Sequence, residues 1–468
     1  MGKLTLSRII ATWYKMNQDR PGFPAPGAGL PRDLTRPHAW VVSPANATRS
    51  NRDILFNGAV EGHVLLKNEH NALPLKSPRL ISLFGYSAKA PDHYTPGSGG
   101  WNSGANSLAP SDRPIISQIA ANGTLYTGGG SGANQPSYVS SPFEALSIRA
   151  RNNGTKLWWD FHSFSPSVDP TSDACIVVGN AFASEGWDRP GLHDDFTDGL
   201  ILNVARKCRN TIVVFHNAGV RLVDQFIDHP NVTALLFAHL PGQESGYALA
   251  SILYGESNPS GKLPYTVARN ESDYGPLANE SLPDGAFSAF PQSDFFEGVY
   301  IDYKSFDARN VTPRYEFGFG LSYTNFTFEG IKAATSATAN LAAPYPTGPI
   351  FEGGRVDLYE LVASVSADVR NSGSRPGAEV VQLYLGIPGG PVRVLRGFEK
   401  INLLPGQSGT VTFDITRRDM STWDTTAQEW LLQNGTYGVY VGGSSRDLPL
   451  VSSLDIVRGA QRNFGGQQ

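Results

Sequence analysis

A carboxylic acid that moves protons must sit where a ligand can reach it, and Glu185 is placed that way. The segment "AFASEGWDRP" (181–190) follows the apolar run "ACIVVGN" (174–180), which reads as a buried strand. Glu185 therefore comes just past the carboxyl end of a strand, between small residues and the indole of Trp187. An indole beside a carboxyl strips it of solvent and raises its pKa, as a general acid at mild pH needs. Trp187 serves equally well as a core plug or as a platform on which a sugar stacks. Asp188 and Arg189 follow and read as a pair. Carboxylate chemistry on a glycosidic bond needs a second carboxylate, and none stands beside this one.

Other chemistry-bearing groups carry less. The stretch "TGGGSGANQPSY" (127–138), with Ser131 at its centre, lacks the Lys-Ser/Thr ending and the preceding strand of a nucleotide-binding loop. It reads as a loop whose small residues let a ligand approach the backbone, or as a plain turn. In "LHDD" (192–195), Asp194 and Asp195 read as charges at a helix N-terminus, and no metal-ligand set accompanies them. His216 and His239 each end a strand-like run and read as packed structural histidines. There is no G-x-S-x-G elbow and no nucleophilic cysteine signature.

Composition bounds the rest. A formal charge of −4 and a pI near 6.2 give no reason to expect nucleic acid or an anionic membrane as partner. Fifty glycines and 33 prolines in 468 residues suit a loop-rich globular chain with many short strands. No apolar run is long enough to span a bilayer. Nine Asn-x-Ser/Thr sequons, at Asn46, Asn122, Asn153, Asn231, Asn270, Asn279, Asn310, Asn325 and Asn434, favour a glycosylated, secretory history. Cys175 and Cys208, the two cysteines, begin successive strand-like runs; one bridge between neighbouring strands and two buried thiols are both open. The first residues carry no signal-peptide pattern and read as a short amphipathic helix around Ile9, Ile10, Trp13 and Tyr14.

The elements that must position Glu185 follow from the apolar pattern. Residues 18–45 ("DRPGFPAPGAGLPRDLTRP" within them) form a Pro/Gly linker. From residue 51 to about 275, apolar strands ("PRLISLFGYSA", "ACIVVGN", "NTIVVFHNAG", "VTALLFAHL") alternate with helical segments ("RDILFNGAVEGHVLLKNE", "SPFEALSIRARNNG" capped by Ser140 or Ser141, "DDFTDGLILNVARKC", "VRLVDQFIDHP", "QESGYALASILYG"). That alternation implies a three-layer α/β sandwich with a mostly parallel sheet. Residues 276–353 form a connecting segment with a low-charge insertion. Residues 354–456 alternate with period two between turn clusters, the pattern of an all-β sandwich, and 457–468 are a tail.

Several motifs then occur in a telling order: "EGHVLLKNEHNALPL", "ASEGWDRPGL", "NTIVVFHNAGVRLVD", "LPGQESGYALASILYGESNPSGKLPYT", "FFEGVYIDYKSFD", "YEFGFGLSYTNFTF" and "VRNSGSRPGAEVVQLYL". The set resembles family 3 glycoside hydrolases, in particular fungal secreted β-glucosidases, over nearly the whole chain from about residue 8. The resemblance implies a (β/α)8 barrel, an α/β sandwich domain and a fibronectin type III-like domain, working by a retaining mechanism on terminal β-D-glucosyl residues without metal or cofactor. It assigns Glu185 as acid/base and Ser131 as a loop serine that reaches toward the sugar. Of the barrel this sequence shows only what looks like the last helix, "SRIIATWYKMNQD" in residues 1–50. The barrel's nucleophilic aspartate is not found. Asp273 in "ESDYG" has the neighbouring letters but lies past the last strand of the α/β domain, inside a sequon, and is rejected as nucleophile. The chain alone is thus expected to be impaired. The expected partners are β-linked glucosides or oligosaccharides, with a homodimer as a candidate assembly. The competing readings are a non-catalytic carbohydrate-binding or truncated fragment, and β-xylosidase or exo-glucanase specificity.

Overall fold

The computed structural model describes residues 2–23, 44–92, 119–130, 133, 136, 138–185, 189–278 and 281–457. Most of the expected linker, the tail beyond 457, Ser131, Trp187, Asp188 and Asn279 lie outside the described residues.

Helix α1 (Gly2–Lys15) is the expected amphipathic helix. Helix α2 (Pro44–Gly62) ends before strand β1 (Val64–Asn68). Strands β2 (Leu80–Phe84), β3 (Lys156–Asp160), β4 (Ala174–Ala181), β5 (Thr211–Asn217) and β6 (Val232–Phe237) complete one six-stranded sheet of order β1-β6-β5-β4-β2-β3. All neighbours pair in parallel except β1, which runs antiparallel to β6. Strands β4, β5 and β6 are buried at every position, which is why they read as unbroken apolar runs. Two apolar layers cover the faces, one around Leu146, Leu249 and Ile252, the other around Leu200, Val204 and Phe226.

Two helices link strands of this sheet and a third follows β6. Helix α3 (Pro142–Asn153) starts at Ser141, whose hydroxyl accepts from the Glu144 amide, and stops at Gly154 in the left-handed region. Helix α4 (Asp195–Ala205) is capped by Asp194, which accepts from the Thr197 amide at 2.8 Å. Helix α5 (Ser245–Leu253) is buried along most of its length.

Two segments depart from the helical reading. Residues 64–68 continue the apolar spacing of α2 but pair as β1, since a short apolar run fits either period. Residues 220–230 form turns: they deliver Leu222, Val223, Phe226 and Ile227 to the core while turning Arg221 inward.

The second half is an antiparallel sandwich of a three-stranded sheet, β7 (Phe326–Thr335), β10 (Leu361–Asn371) and β13 (Ser408–Thr416), and a four-stranded sheet, β11 (Gly377–Gly386), β12 (Val394–Leu403), β16 (Gly435–Gly442) and β17 (Leu450–Ile456). Two small hairpins, β8–β9 (Ile350–Phe351, Gly354–Arg355) and β14–β15 (Ser421–Asp424, Glu429–Leu432), decorate it. Strand β7, within the connecting segment, pairs with β10 from Phe326 onward. Half of β7 faces solvent, which hid its alternation. The sandwich is fastened to the α/β unit by Lys262–Glu379 (2.7 Å) and by Asp307, whose carboxylate takes Arg393 at 2.9 Å and Arg446 at 3.1 Å.

Cys175, at the start of β4, is joined by a disulfide to Cys208, in the turn after α4, with Cα atoms 6.3 Å apart. Of the sequons, Asn122 is buried and donates its amide to Asp92, so it offers no free acceptor nitrogen; Asn231 spends its amide on the Ala205 carbonyl. Asn153, Asn270, Asn310, Asn325 and Asn434 are exposed.

Candidate active site

Counting only the parallel strands in chain order, the sheet runs 2-1-3-4-5, so chain direction reverses between β2 and β4. In such sheets the crevice at the carboxyl ends of the two strands flanking the reversal is the natural ligand site. The loop leaving β2 contains the glycine-rich stretch, and the loop leaving β4 contains Glu185. The fold brings together the two segments that the sequence singled out separately.

Their contact is close. Gly129 bridges Ser184 in a short parallel pairing, and its amide donates to the Ala183 carbonyl at 3.0 Å. Gly130 adopts φ +78° with its α-carbon against Glu185. A Cβ there would collide with the Glu185 Cβ and lie 2.8 Å from Oε2 and 3.0 Å from its amide nitrogen. The run of glycines is thus a floor on which the Glu185 side chain rests, in an exposed turn. Replacing Gly130 by alanine should displace Glu185 and strain the backbone. We expect an assembled enzyme carrying it to lose at least tenfold in kcat with little change in Tm; unchanged kcat would remove this role.

Behind the floor, Asn180 at the end of β4 spends its side chain on the β2 loop. Its Oδ1 accepts from the Ala121 amide (2.9 Å), and its Nδ2 donates to the Ala121 (2.8 Å) and Gly123 (3.0 Å) carbonyls and to Ser87 Oγ (3.2 Å). Ser87 Oγ meets His216 Nδ1 at 3.0 Å, and His216 Nε2 meets Ser245 Oγ at 3.0 Å. All four residues are buried. A chain of satisfied hydrogen bonds across four segments gives the loops one geometry. Sequence reading assigned His216 a structural place but found neither Asn180 nor Ser87 nor Ser245. Only the sheet register joins them.

Burial, then the charge of nearby His63, holds the His216 imidazole neutral, its pKa lowered to about 3. The unfolded chain binds this proton near pH 6.5 and the folded chain does not. Stability is therefore fully present above 6.5 and falls as pH drops toward 3, by up to about 1.4 kcal/mol per pH unit. Tm measured from pH 7 to 4 should fall more steeply for the native chain than for His216→Gln; equal slopes would exclude the effect.

The return arm of the Glu185 loop is pinned at Arg189, which donates to the Val220 carbonyl (3.0 Å), and at Leu192, whose carbonyl takes the Leu222 amide (2.9 Å). Asp188 lies outside the described residues, so its expected pairing with Arg189 is not described. His239 (φ +51°) meets Gly62 O at 3.0 Å and Tyr265 OH at 2.8 Å, which makes it a packed residue. Asp273 accepts from the Asn270 amide (3.0 Å) and stabilises its own turn. Among the described residues no group of His, Cys, Asp and Glu could hold a metal ion, and no helix is long and apolar enough to cross a membrane.

An open sheet that presents one loop carboxylate at its reversal point, fastened to a β-sandwich, places the molecule among the glycoside hydrolases once its relatives are considered. Residues 63–323 match the glycosyl hydrolase family 3 C-terminal domain, and residues 379–445 match the fibronectin type III-like domain. The chain belongs to glycosyl hydrolase family 3. It is 52% identical over 450 residues to a probable β-glucosidase M of Aspergillus flavus, covering 96% of this chain and 56% of that protein. It is likewise 52% identical over 457 residues to β-glucosidase cel3A of Pyricularia oryzae, covering 58% of it. The crystal structure of β-D-glucoside glucohydrolase from Trichoderma reesei superposes with a TM-score of 0.80 at 36% identity, over 96% of this chain and 59% of that one. The chain thus spans little more than half the length of these relatives.

Proposed function

We propose that this chain supplies the acid/base half of a retaining β-glucosidase site that cleaves terminal, non-reducing β-D-glucosyl residues. The observation that carries this reading is Glu185 in an exposed turn at the reversal point, its side chain backed by Gly130. In the first step its carboxyl protonates the departing glycosidic oxygen while a carboxylate from outside this chain attacks the anomeric carbon. In the second its carboxylate takes a proton from water, which releases the glucosyl group. The two carboxyls must stand roughly 5 Å apart, so the surface carrying Glu185 must dock rigidly on the surface carrying its partner.

The exposed apolar side chains suit such docking. Leu6, Ile9, Trp13 and Tyr14 of α1 are exposed, as are Phe290 and Phe296 in the connecting segment, the latter at 92%. Exposed apolar surface of this extent marks an interaction face. Ser131 and Trp187 are assigned to sugar contact on the same reading. The relatives named β-glucosidase M and cel3A support the glucosyl preference over a xylosyl one. The disulfide and five exposed sequons suit an oxidising, secretory compartment.

The test is direct. The purified 468-residue chain should not turn over an aryl β-glucoside, and should do so when combined with the family's barrel portion. Turnover by the chain alone would overturn the division of the catalytic pair.

A further inference from the structure

At the end of the sheet opposite Glu185, a cavity of about 480 Å³ opens between the segments that enter β2, β4 and β5. Its lining includes His70, Lys76, Arg79 and Arg209, against the single carboxylate of Asp173. That carboxylate is fully engaged. It accepts from the Arg79 amide (2.6 Å), the Leu80 amide (3.1 Å) and the Arg79 guanidinium (3.1 Å). Lys76 and Arg209 have no carboxylate partner among the described residues. With Arg79 paired to Asp173, Lys76 and Arg209 remain as two unpaired cations beside that pair, a local positive field in a chain whose net charge is −4. A long polyanion would meet the negative remainder of the surface, whereas a small anion meets only the cavity.

The backbone is shaped for it. His70 and Asn71 (φ 56° and 54°) make the tight turn after β1, and Ser77 (φ 47°) bends the chain between Lys76 and Arg79. The floor is polar and fixed: buried Thr233 donates to Asn210 Oδ1 (2.6 Å), and Asn210 Nδ2 donates to the Asp173 carbonyl (2.9 Å).

We propose that this cavity binds a small tetrahedral oxyanion, phosphate or sulfate, free or as the ester of a sugar, through Lys76, Arg79 and Arg209. A guanidinium fork and an ammonium point charge are the usual recognition groups for such oxygens. The site is independent of Glu185 and of the proposed hydrolysis.

Thermal unfolding of the full chain with inorganic phosphate, with glucose 6-phosphate and with glucose, at constant ionic strength set by sodium chloride, tests it. Phosphate should raise Tm saturably, by ~3 °C at ten times Kd. Glucose should not. A tenfold lower Kd for the sugar phosphate identifies the ester as the ligand, and equal values identify the free anion. Lys76→Ala/Arg209→Ala, and separately Lys76→Glu, should melt as the native chain does without ligand and lose the phosphate response. A rise that does not saturate, that sodium chloride reproduces, or that survives in both variants would overturn the proposal.

Discussion

Replacing Glu185 by alanine in an assembled family 3 enzyme should lower kcat for cellobiose by ~10²–10⁴-fold, the usual contribution of a positioned general acid–base group. The loss depends on the leaving group. A dinitrophenolate departs without protonation, so its glucoside still glycosylates the nucleophile, and the reaction then stalls for want of a base. Azide needs no base to attack. Added azide should therefore restore turnover of the dinitrophenyl glucoside and yield the β-configured glucosyl azide. It should not restore cleavage of cellobiose, whose leaving alcohol still needs a proton. Equal losses on both substrates with no azide product would show that Glu185 is not the acid/base group.

The second large effect falls on stability. Arg221 has no exposed surface, and its guanidinium lies 4.7 Å from the ring of Phe215 and 6.0 Å from that of Phe226. It bonds Asp198 at 2.5 Å, and Asp194 stands 3.4 Å away. Asp194 in turn caps α4. Burial pushes the Asp198 carboxyl above its usual range, and the Arg221 charge works against that push. Arg221→Ala strands two buried carboxylates without their cation. Breaking a buried pair from one side costs about 3–5 kcal/mol. That is a large share of a typical folding free energy and corresponds to a fall in Tm of ~10 °C. Arg221→Met combined with Asp194→Asn and Asp198→Asn should recover part of the loss, because the charges leave together. A single alanine variant that melts within about 2 °C of the native chain would rule out this account.

What could be read from the sequence divides along physical lines. Strands β4, β5 and β6 announced themselves because both of their faces are buried, so each reads as a mostly apolar run, with polar residues such as Asn180, His216 and Asn217 near the carboxyl ends. Strand β3, "KLWWD", did not, because as an edge strand it leaves Trp158 and Trp159 about half exposed. Strand β1 hid in the helical spacing of α2, and residues 220–230 imitated a helix while making turns. At the site, Glu185 and the glycine-rich stretch were each visible from local composition. Their contact was not, because some 55 residues separate them and only the β2–β4 pairing brings their loops together. The Asn180–Ser87–His216–Ser245 chain has no local signature at all: each residue is a common polar type, made special by burial.

The Cys175–Cys208 bond has a topological consequence. It closes a covalent ring, and the whole Glu185 excursion, from the end of β4 through α4, lies inside it. A protease that cuts the exposed turn opens that ring but releases nothing. Both halves of the molecule stay tethered, so the nicked protein should migrate as one species until a reductant is added.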